Sequence, residues 1–413
     1  MMTDHHRFII TRRDHTVYYG FYRGDHPVEL YCETEDNHSL AGNIYAARVD
    51  RVAEEIGGAF LDIGQGQKCY FSLPKNGLKP VLLSPEHEAN RKHREGFRLF
   101  CGDIILVQVT RDALKTKLPQ AEANISIAGK YFVITLPDRR LGVSQKIHSS
   151  QERSRLLSII KDFVKELPDV DFGIIARTNA SQVPGEELSE ELRQLAVRHQ
   201  ELMRRASIAP GKTLLYQDAP YYITCPRDLL KNSLAEIVTD QRDIYDRLMQ
   251  FYKMSRDEEI TGKLRLYEDE YELWKLYRME SHYKRALSRN VWLDSGAGLV
   301  IEPTEAMVVI DVNTGGVTRK KEKEEDLFYQ INREAAREIA GQLRLRNLSG
   351  IIVIDFINMK LESHRQKLLD YLRTLCANDR VRTQVVDITA LNLVEMTRQK
   401  KRKPLHEQWK TCH

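Results

Sequence analysis

Two stretches decide the fold: Met307-Val308-Val309-Ile310-Asp311-Val312-Asn313-Thr314-Gly315-Gly316 and Gly350-Ile351-Ile352-Val353-Ile354-Asp355-Phe356-Ile357-Asn358-Met359. Each is an apolar run, rich in β-branched residues and interrupted by one aspartate. Runs of this length fit strands buried on both faces, as in a parallel sheet. Between them, Leu327, Ile331, Ala335, Ile339 and Leu343 recur every fourth position from Glu324 to Arg346. That spacing lines one face of a helix, and Asn347 and Gly350 supply the stop. The unit reads as strand–helix–strand with parallel strands and a right-handed crossover.

A buried, unpaired aspartate is costly, and two at matching places on neighbouring strands repel each other. A divalent cation between them removes both objections, and hard oxygen ligands with open positions suit Mg²⁺. The plainer alternative is that each aspartate caps a loop or pairs with an arginine. Two in the same motif across one βαβ unit favour a metal site, with Asp311 and Asp355 as ligands and Asn313 as a polar neighbour.

The chain has 413 residues, enough for several domains, with a net charge of +4. A pI near 8.6 and a mean hydropathy of −0.48 permit a polyanionic partner without requiring one. No run reaches the length of a transmembrane helix, and residues 1–6 hold no apolar signal-peptide core. Cysteines at 32, 69, 101, 225, 376 and 412 form no close pairs, which reads as a reduced cytoplasmic protein with buried thiols. Pro210-Gly211-Lys212-Thr213 resembles the end of a phosphate-binding loop. Position 206, where such a loop needs glycine, is Ala206, so nucleotide hydrolysis is rejected.

Residues 7 to 34 read as short antiparallel strands, too few to fold without a later segment. Gly42–Val49, the hairpin Gly58–Gly64 with Lys68–Leu73, and Gly102–Val109 suggest a small β-barrel. Its aromatics Phe60, Tyr70 and Phe71 are candidates for stacking on bases, or for core. The basic residues Lys75, Lys79, Arg91, Lys92 and Arg94 between Pro74 and Phe97 read as an inserted loop. Further on, strands are expected at Gly129–Pro137, Phe172–Thr178 and Tyr221–Thr224. Helices are expected at Glu152–Glu166, Glu186–Ile208, Ser233–Ile237, Ile244–Met254 and His364–Cys376, and a last strand at Gln384–Ile388.

Ile310-Asp311-Val312-Asn313, then Gly350 to Met359, then Leu393-Val394-Glu395-Met396-Thr397-Arg398-Gln399, resemble the catalytic core of the ribonuclease E/G family of bacterial endoribonucleases. The resemblance implies an α/β multidomain fold. Residues 1–36 and 216–278 would be the two parts of a discontinuous RNase H-like subdomain. Inserted in it would be an S1 (OB-fold) RNA-binding domain at 37–126 and a 5′-sensor region at 127–215. A DNase I-like catalytic subdomain at 279–400 would follow, and 401–413 would be a basic tail in the place of the family's zinc link.

The same resemblance implies a Mg²⁺-dependent endoribonuclease of RNA processing and decay, acting on rRNA precursors or mRNA. It would cut single-stranded RNA to leave 5′-phosphate and 3′-hydroxyl ends. Asp311, Asn313 and Asp355 would be catalytic. Phe60, Phe71 and Lys117 fall on RNA-binding positions. Gly129, Val133, Arg177, Thr178 and Arg382 fall on positions that hold a 5′-monophosphate. Arg177, at the end of an apolar strand beside Thr178, is expected to have its guanidinium open to a phosphate. The family joins subunits through a Cys-x-x-Cys zinc site, which suggests a homodimer or higher oligomer. Here Cys412 stands by itself as a candidate zinc ligand, and a lone cysteine does not make a Cys₄ site across two chains. Asn358 stands where some members carry a second aspartate, which leaves two clear carboxylates and one metal. The rival reading is a non-catalytic RNA-binding factor that keeps the barrel. The intact Asp311, Asn313 and Asp355 set argues for the enzyme.

Overall fold

The computed structural model describes residues 6–35, 39–73, 79–83, 98–113, 117–167, 170–228, 234–254, 257–315, 324–377 and 379–413. Of the basic loop, Lys75, Arg91, Lys92 and Arg94 lie outside these residues. The chain divides into two compact units, residues 39–231 and residues 1–38 with 232–413. The protein is mixed α/β, and no helix among the described residues is long and apolar enough to cross a membrane.

In residues 39–231, five strands close a barrel: Ile44–Ala53, Gly58–Gly64, Gln67–Ser72, Gln120–Glu122 and Ile104–Arg111, the last pairing back on the first. Closure leaves no unpaired edge. The hairpin turns at Gln65 and Gly66, both with positive φ. The barrel is filled by Val49, Leu61, Cys69, Phe71, Val107 and Val109. Its closed form is consistent with the OB-like expectation. A second sheet, in the order Leu141–Val143, Gly173–Ala176, Phe132–Leu136, Ile125–Ala128, packs with helices Ser150–Glu166 and Gly185–Ile208.

In the other unit, His6–Arg13, Thr16–Arg23 and His26–Thr34 form an antiparallel meander. The later segment it needs is Leu234–Thr239, which pairs parallel to His6–Arg13 and is followed outward by Leu264–Leu266. Two expectations are reversed, one in each unit. Tyr221–Asp228 is a helix, and Leu234–Thr239 is a strand where Ser233–Ile237 suggested helix. Short apolar runs do not distinguish the two states by periodicity. Pro220 opens the helix, accepting from the amides of Ile223 and Thr224, whereas Ile237-Val238-Thr239 follow their β-branched preference beside an available strand edge.

The same unit contains a six-stranded sheet in the order Asn290–Trp292, Gly298–Pro303, Met307–Asn313, Gly350–Asp355, Leu393–Arg398, Thr383–Ile388. Met307–Asn313 and Gly350–Asp355 are parallel neighbours joined through helix Glu324–Leu345. That helix buries the expected stripe Leu327, Ile331, Ala335, Ile339 and Leu343, carries acids in its first turn, and stops at Asn347, whose φ is 48°. With helix Glu362–Ala377 it covers one sheet face, built from Ile301, Ile310, Val312, Ile352, Ile354, Val394 and Met396. The expectation of burial on both faces does not hold. Ile351 is 51% exposed, and Asp355 is exposed too, because the remaining pairings are antiparallel and helices cover one side.

Candidate active site

The parallel register places Asp311 directly opposite Asp355. Directly opposed residues on neighbouring strands point to the same side, and the strands stand about 4.8 Å apart. Asp311 is half-buried and Asp355 exposed, so both carboxylates open on the face that, among the described residues, the two helices leave uncovered. The burial penalty that the sequence suggested is therefore absent. What remains is like-charge repulsion between neighbours, which a cation relieves. Asn313, two residues along the same strand, donates from Nδ2 to Asp311 Oδ2 at 2.7 Å and fixes that carboxylate.

The loop after Asp355 is held from the helix between the two strands. Asn332 donates to Ile357 O at 2.7 Å and accepts from Ile357 N at 3.0 Å. Glu325 accepts from the amides of Lys360 and Leu361 at 3.1 and 2.8 Å, which lowers its pKa. Asn392 donates to Asn358 Oδ1 at 3.3 Å. These contacts prearrange the strand end. Asn332 left no mark in the sequence beyond an amide inside an apolar helix stripe.

No cluster of three His, Cys, Asp or Glu among the described residues is placed to hold a metal. Asp311 and Asp355 are thus a two-carboxylate set with open positions. Mg²⁺ accepts such a set, because it keeps waters and takes substrate phosphate oxygens as its other ligands.

The barrel carries Phe60 on its outside. Arg51, Phe60, Tyr70, Gln120 and Arg111 form one register row across its strands. The guanidinium of Arg51 lies 4.8 Å over the Phe60 ring, and Tyr70 meets that ring edge-on at 6.0 Å. Lys117 is exposed, just before the segment whose Pro119 O accepts from Tyr70 N at 2.8 Å. Phe71 needs correction. It is fully buried in the barrel core and presents no face for a base to stack on. Strand alternation turns it inward as it turns Tyr70 outward.

Gly129, Val133, Arg177 and Thr178 come together around one strand pair, Val133 opposite Ile175. Arg177 N donates to Tyr131 O, and Arg177 Nη1 donates to Gly129 O at 2.7 Å. The guanidinium is therefore engaged with the backbone, contrary to the open fork expected from sequence. Glu191 accepts from Tyr131 N and Phe132 N. Burial raises its pKa, opposed by those amides and by the charges of Arg227 and Arg177. A Cβ at Gly129 would stand 2.1 Å from Glu191 Oε1, so only glycine leaves room for this carboxylate. Arg382 is exposed and belongs to the other unit.

Residues 401–413 end in a helix, Leu405–Cys412, with Leu405 fully buried. Cys412 hydrogen-bonds Cys32; that bond and burial raise the Cys32 thiol pKa. His413 stacks on Trp409 at 3.9 Å and meets Tyr18 OH at 3.1 Å.

Comparison with known proteins matches residues 126–401 to the model of the ribonuclease E/G family. Ribonuclease G of Escherichia coli is 34% identical over 390 residues, covering 93% of this chain and 78% of that protein. Ribonuclease G of Haemophilus influenzae is 33% identical over 393 residues with the same coverage. Ribonuclease E of Synechocystis is 30% identical over 414 residues, spanning 97% of this chain and 57% of that protein. Two carboxylates on one open sheet face, a closed five-stranded barrel and this similarity along the chain agree: the protein belongs to the ribonuclease E/G family.

Proposed function

We propose that this protein is an endoribonuclease of RNA processing that cuts single-stranded RNA at Asp311 and Asp355 with Mg²⁺, and that a 5′-monophosphate on the RNA promotes cutting. The observation that carries the reading is the in-register pair Asp311 and Asp355 on an uncovered sheet face, in a chain of this family. The two carboxylates would hold the cation, and Asn313 keeps Asp311 turned for it. Bound there, Mg²⁺ supplies positive charge for the developing charge on the phosphoryl oxygens. The sheet scaffold fixes the carboxylates before substrate arrives, so little reorganisation is needed during reaction. On this reading the six-stranded unit is the DNase I-like subdomain and the discontinuous meander the RNase H-like one.

Phe60, with Tyr70 beside it and Arg51 above it, forms the stacking surface of the barrel, and Lys117 adds a charge for phosphate. Phe60→Ala should weaken single-stranded RNA binding by about 1–3 kcal/mol and leave the fold intact. Phe71→Ala should instead destabilise the protein by about 3–5 kcal/mol through a core cavity. Urea unfolding with RNA titration of both variants separates these roles. A Phe71 variant of normal stability and weak binding would reverse the assignment. A non-catalytic RNA-binding role finds less support, because nothing in a scaffold calls for two like charges on adjacent strands.

The test is a labelled single-stranded RNA, prepared with either a 5′-monophosphate or a 5′-hydroxyl and incubated with protein in Mg²⁺ or in chelator. Fragments with 5′-phosphate and 3′-hydroxyl ends should form in Mg²⁺ alone, and faster from the monophosphorylated RNA. Arg177→Ala should remove most of that advantage, because Arg177 and Thr178 close the strand pair around Gly129. Equal rates on both RNAs with wild type would eliminate the 5′-end preference. Absence of cleavage in Mg²⁺ would eliminate the nuclease.

A further inference from the structure

Trp292 is the most exposed of the three tryptophans, with 76% of its surface open to solvent. Leaving an indole in water forfeits the largest apolar burial any side chain offers, so its position calls for a reason. The sheet register supplies one. Trp292 pairs with Gly298, and Gly298 pairs with Asn313, so the three form one row across the strands. The next row on the same face, two residues along each strand, is Asn290, Val300, Asp311, Asp355 and Leu393. Trp292 therefore shares the uncovered face with the carboxylates, two strand steps, or about 10 Å, from Asn313. The indole leans toward them. Its Cε3 and Cζ3 lie 3.6 Å from where a Cβ on Gly298 would sit, so the ring lies over the glycine between Trp292 and Asn313.

The hairpin that carries it is fixed. Ser295 N donates to Glu334 Oε1 at 3.1 Å on helix Glu324–Leu345. Leu293 N donates to Ala297 O, and Gly296 N to Leu293 O, both at 2.9 Å. Gly315, just beyond Asn313, packs so closely that a Cβ there would stand 2.3 Å from Gly296 O. The platform and the carboxylate strand are thus held in one relation at both ends.

We infer that Trp292 is a stacking platform for an RNA base next to the phosphate cleaved at Asp311 and Asp355. This rests on the function proposed above and adds a specificity-determining contact to it. A base is the occupant that the chemistry selects. Among the described residues the charged side chains of the strands on this face near Asp311 and Asp355 include Asp387 and Glu395, which repel a phosphate, whereas a neutral base needs only an aromatic face. A flanking base held there would add binding shared by the bound RNA and the transition state, which shows in KM rather than kcat. The competing role is structural, an aromatic ring covering a strand glycine.

Two variants and one background separate these. Trp292→Leu keeps an apolar cover on Gly298 and loses the π-face, Trp292→Phe keeps a smaller face, and Asp355→Asn gives a non-cleaving protein for binding. In the Asp355→Asn protein, a single-stranded oligoribonucleotide should quench tryptophan emission, and adding Trp292→Phe should abolish that quench. With cleaving protein, Trp292→Leu should raise KM by roughly tenfold with kcat changed far less, and Trp292→Phe should recover part of the loss. An abasic residue scanned along the RNA should raise KM at one position beside the cleaved bond in wild type and have no further effect in Trp292→Leu. Wild-type KM and abasic profile in Trp292→Leu, or a lowered melting temperature with both unchanged, would overturn the inference and leave the nuclease standing. Failure of the wild-type protein to bind or cleave the RNA would overturn both.

Discussion

Asp355→Asn and Asp311→Asn are each expected to slow RNA cleavage by more than about 10³-fold while RNA affinity is retained. The loss exceeds that for a typical outer-shell partner of a metal, about 10–100-fold, because a charged ligand itself is removed. Neither substitution should harm the fold. The two carboxylates face each other across one strand spacing on an exposed surface, so neutralising either removes a repulsion. Unchanged or slightly raised melting temperature with lost activity is the signature of a site that trades stability for chemistry. Asn313→Ala should cost less, about 10–100-fold, because it only releases the bond that orients Asp311. Initial rates on a labelled single-stranded RNA, with melting curves of the same preparations, check all three. A wild-type rate in either aspartate variant would remove the assignment.

Arg398→Met should destabilise the protein by about 3–5 kcal/mol. Arg398 lies in the stretch that identifies the core, yet its role is internal. It is 3% exposed, donates to both oxygens of Asp379 at 2.8 and 3.3 Å, and donates to Asn347 Oδ1 and Leu348 O at 3.0 and 2.9 Å. It therefore ties the last strand to the end of helix Glu324–Leu345 and to the turn before Gly350. Burial pushes the Asp379 pKa up, but the hydrogen bonds and charge of Arg398 prevail and hold it below the ordinary carboxylate value. A depressed carboxylate stabilises the fold above its unfolded pKa, and the contribution fades as pH falls through the folded value. Removing the arginine leaves a buried charge unpaired. Arg398→Met combined with Asp379→Leu should recover most of the loss, because a matched apolar pair replaces a buried ion pair at little net cost. Urea unfolding of the single and double variants decides this. A single variant with wild-type midpoint would show that the pair carries no such load.

The legible parts were those whose periodicity is long or whose residues are chemically unusual. The stripe from Leu327 to Leu343 spans five helical positions, so its helix and the parallel strands on either side followed from spacing alone. Asp311 and Asp355 stood out because charge interrupts apolar runs at matching places, and the register then set them opposite each other. Burial was misread because strand sequence does not reveal which face a neighbouring helix covers. Ile351 and Asp355 lie on the face that no helix among the described residues covers. Tyr221–Asp228 and Leu234–Thr239 were exchanged because windows this short satisfy both periods. Phe71 was misplaced because a pair of adjacent aromatics, Tyr70 and Phe71, does not tell which one alternates inward. Arg177 reads as open in the sequence because its partner, the Gly129 carbonyl, lies 48 residues away. Trp292 carried no signal at all, since its meaning depends on a register row that only the folded sheet assembles.

The most direct measurement replaces Asp355 with cysteine and varies the metal. A thiolate is a poor ligand for Mg²⁺ and a good one for soft divalent cations such as Cd²⁺. If Asp355 holds the cation used in cleavage, Asp355→Cys should be inert toward single-stranded RNA in Mg²⁺ and regain cutting when Cd²⁺ is supplied, while wild type prefers Mg²⁺. Cleavage by Asp355→Cys in Mg²⁺ at the wild-type rate, indifferent to which cation is present, would contradict the account.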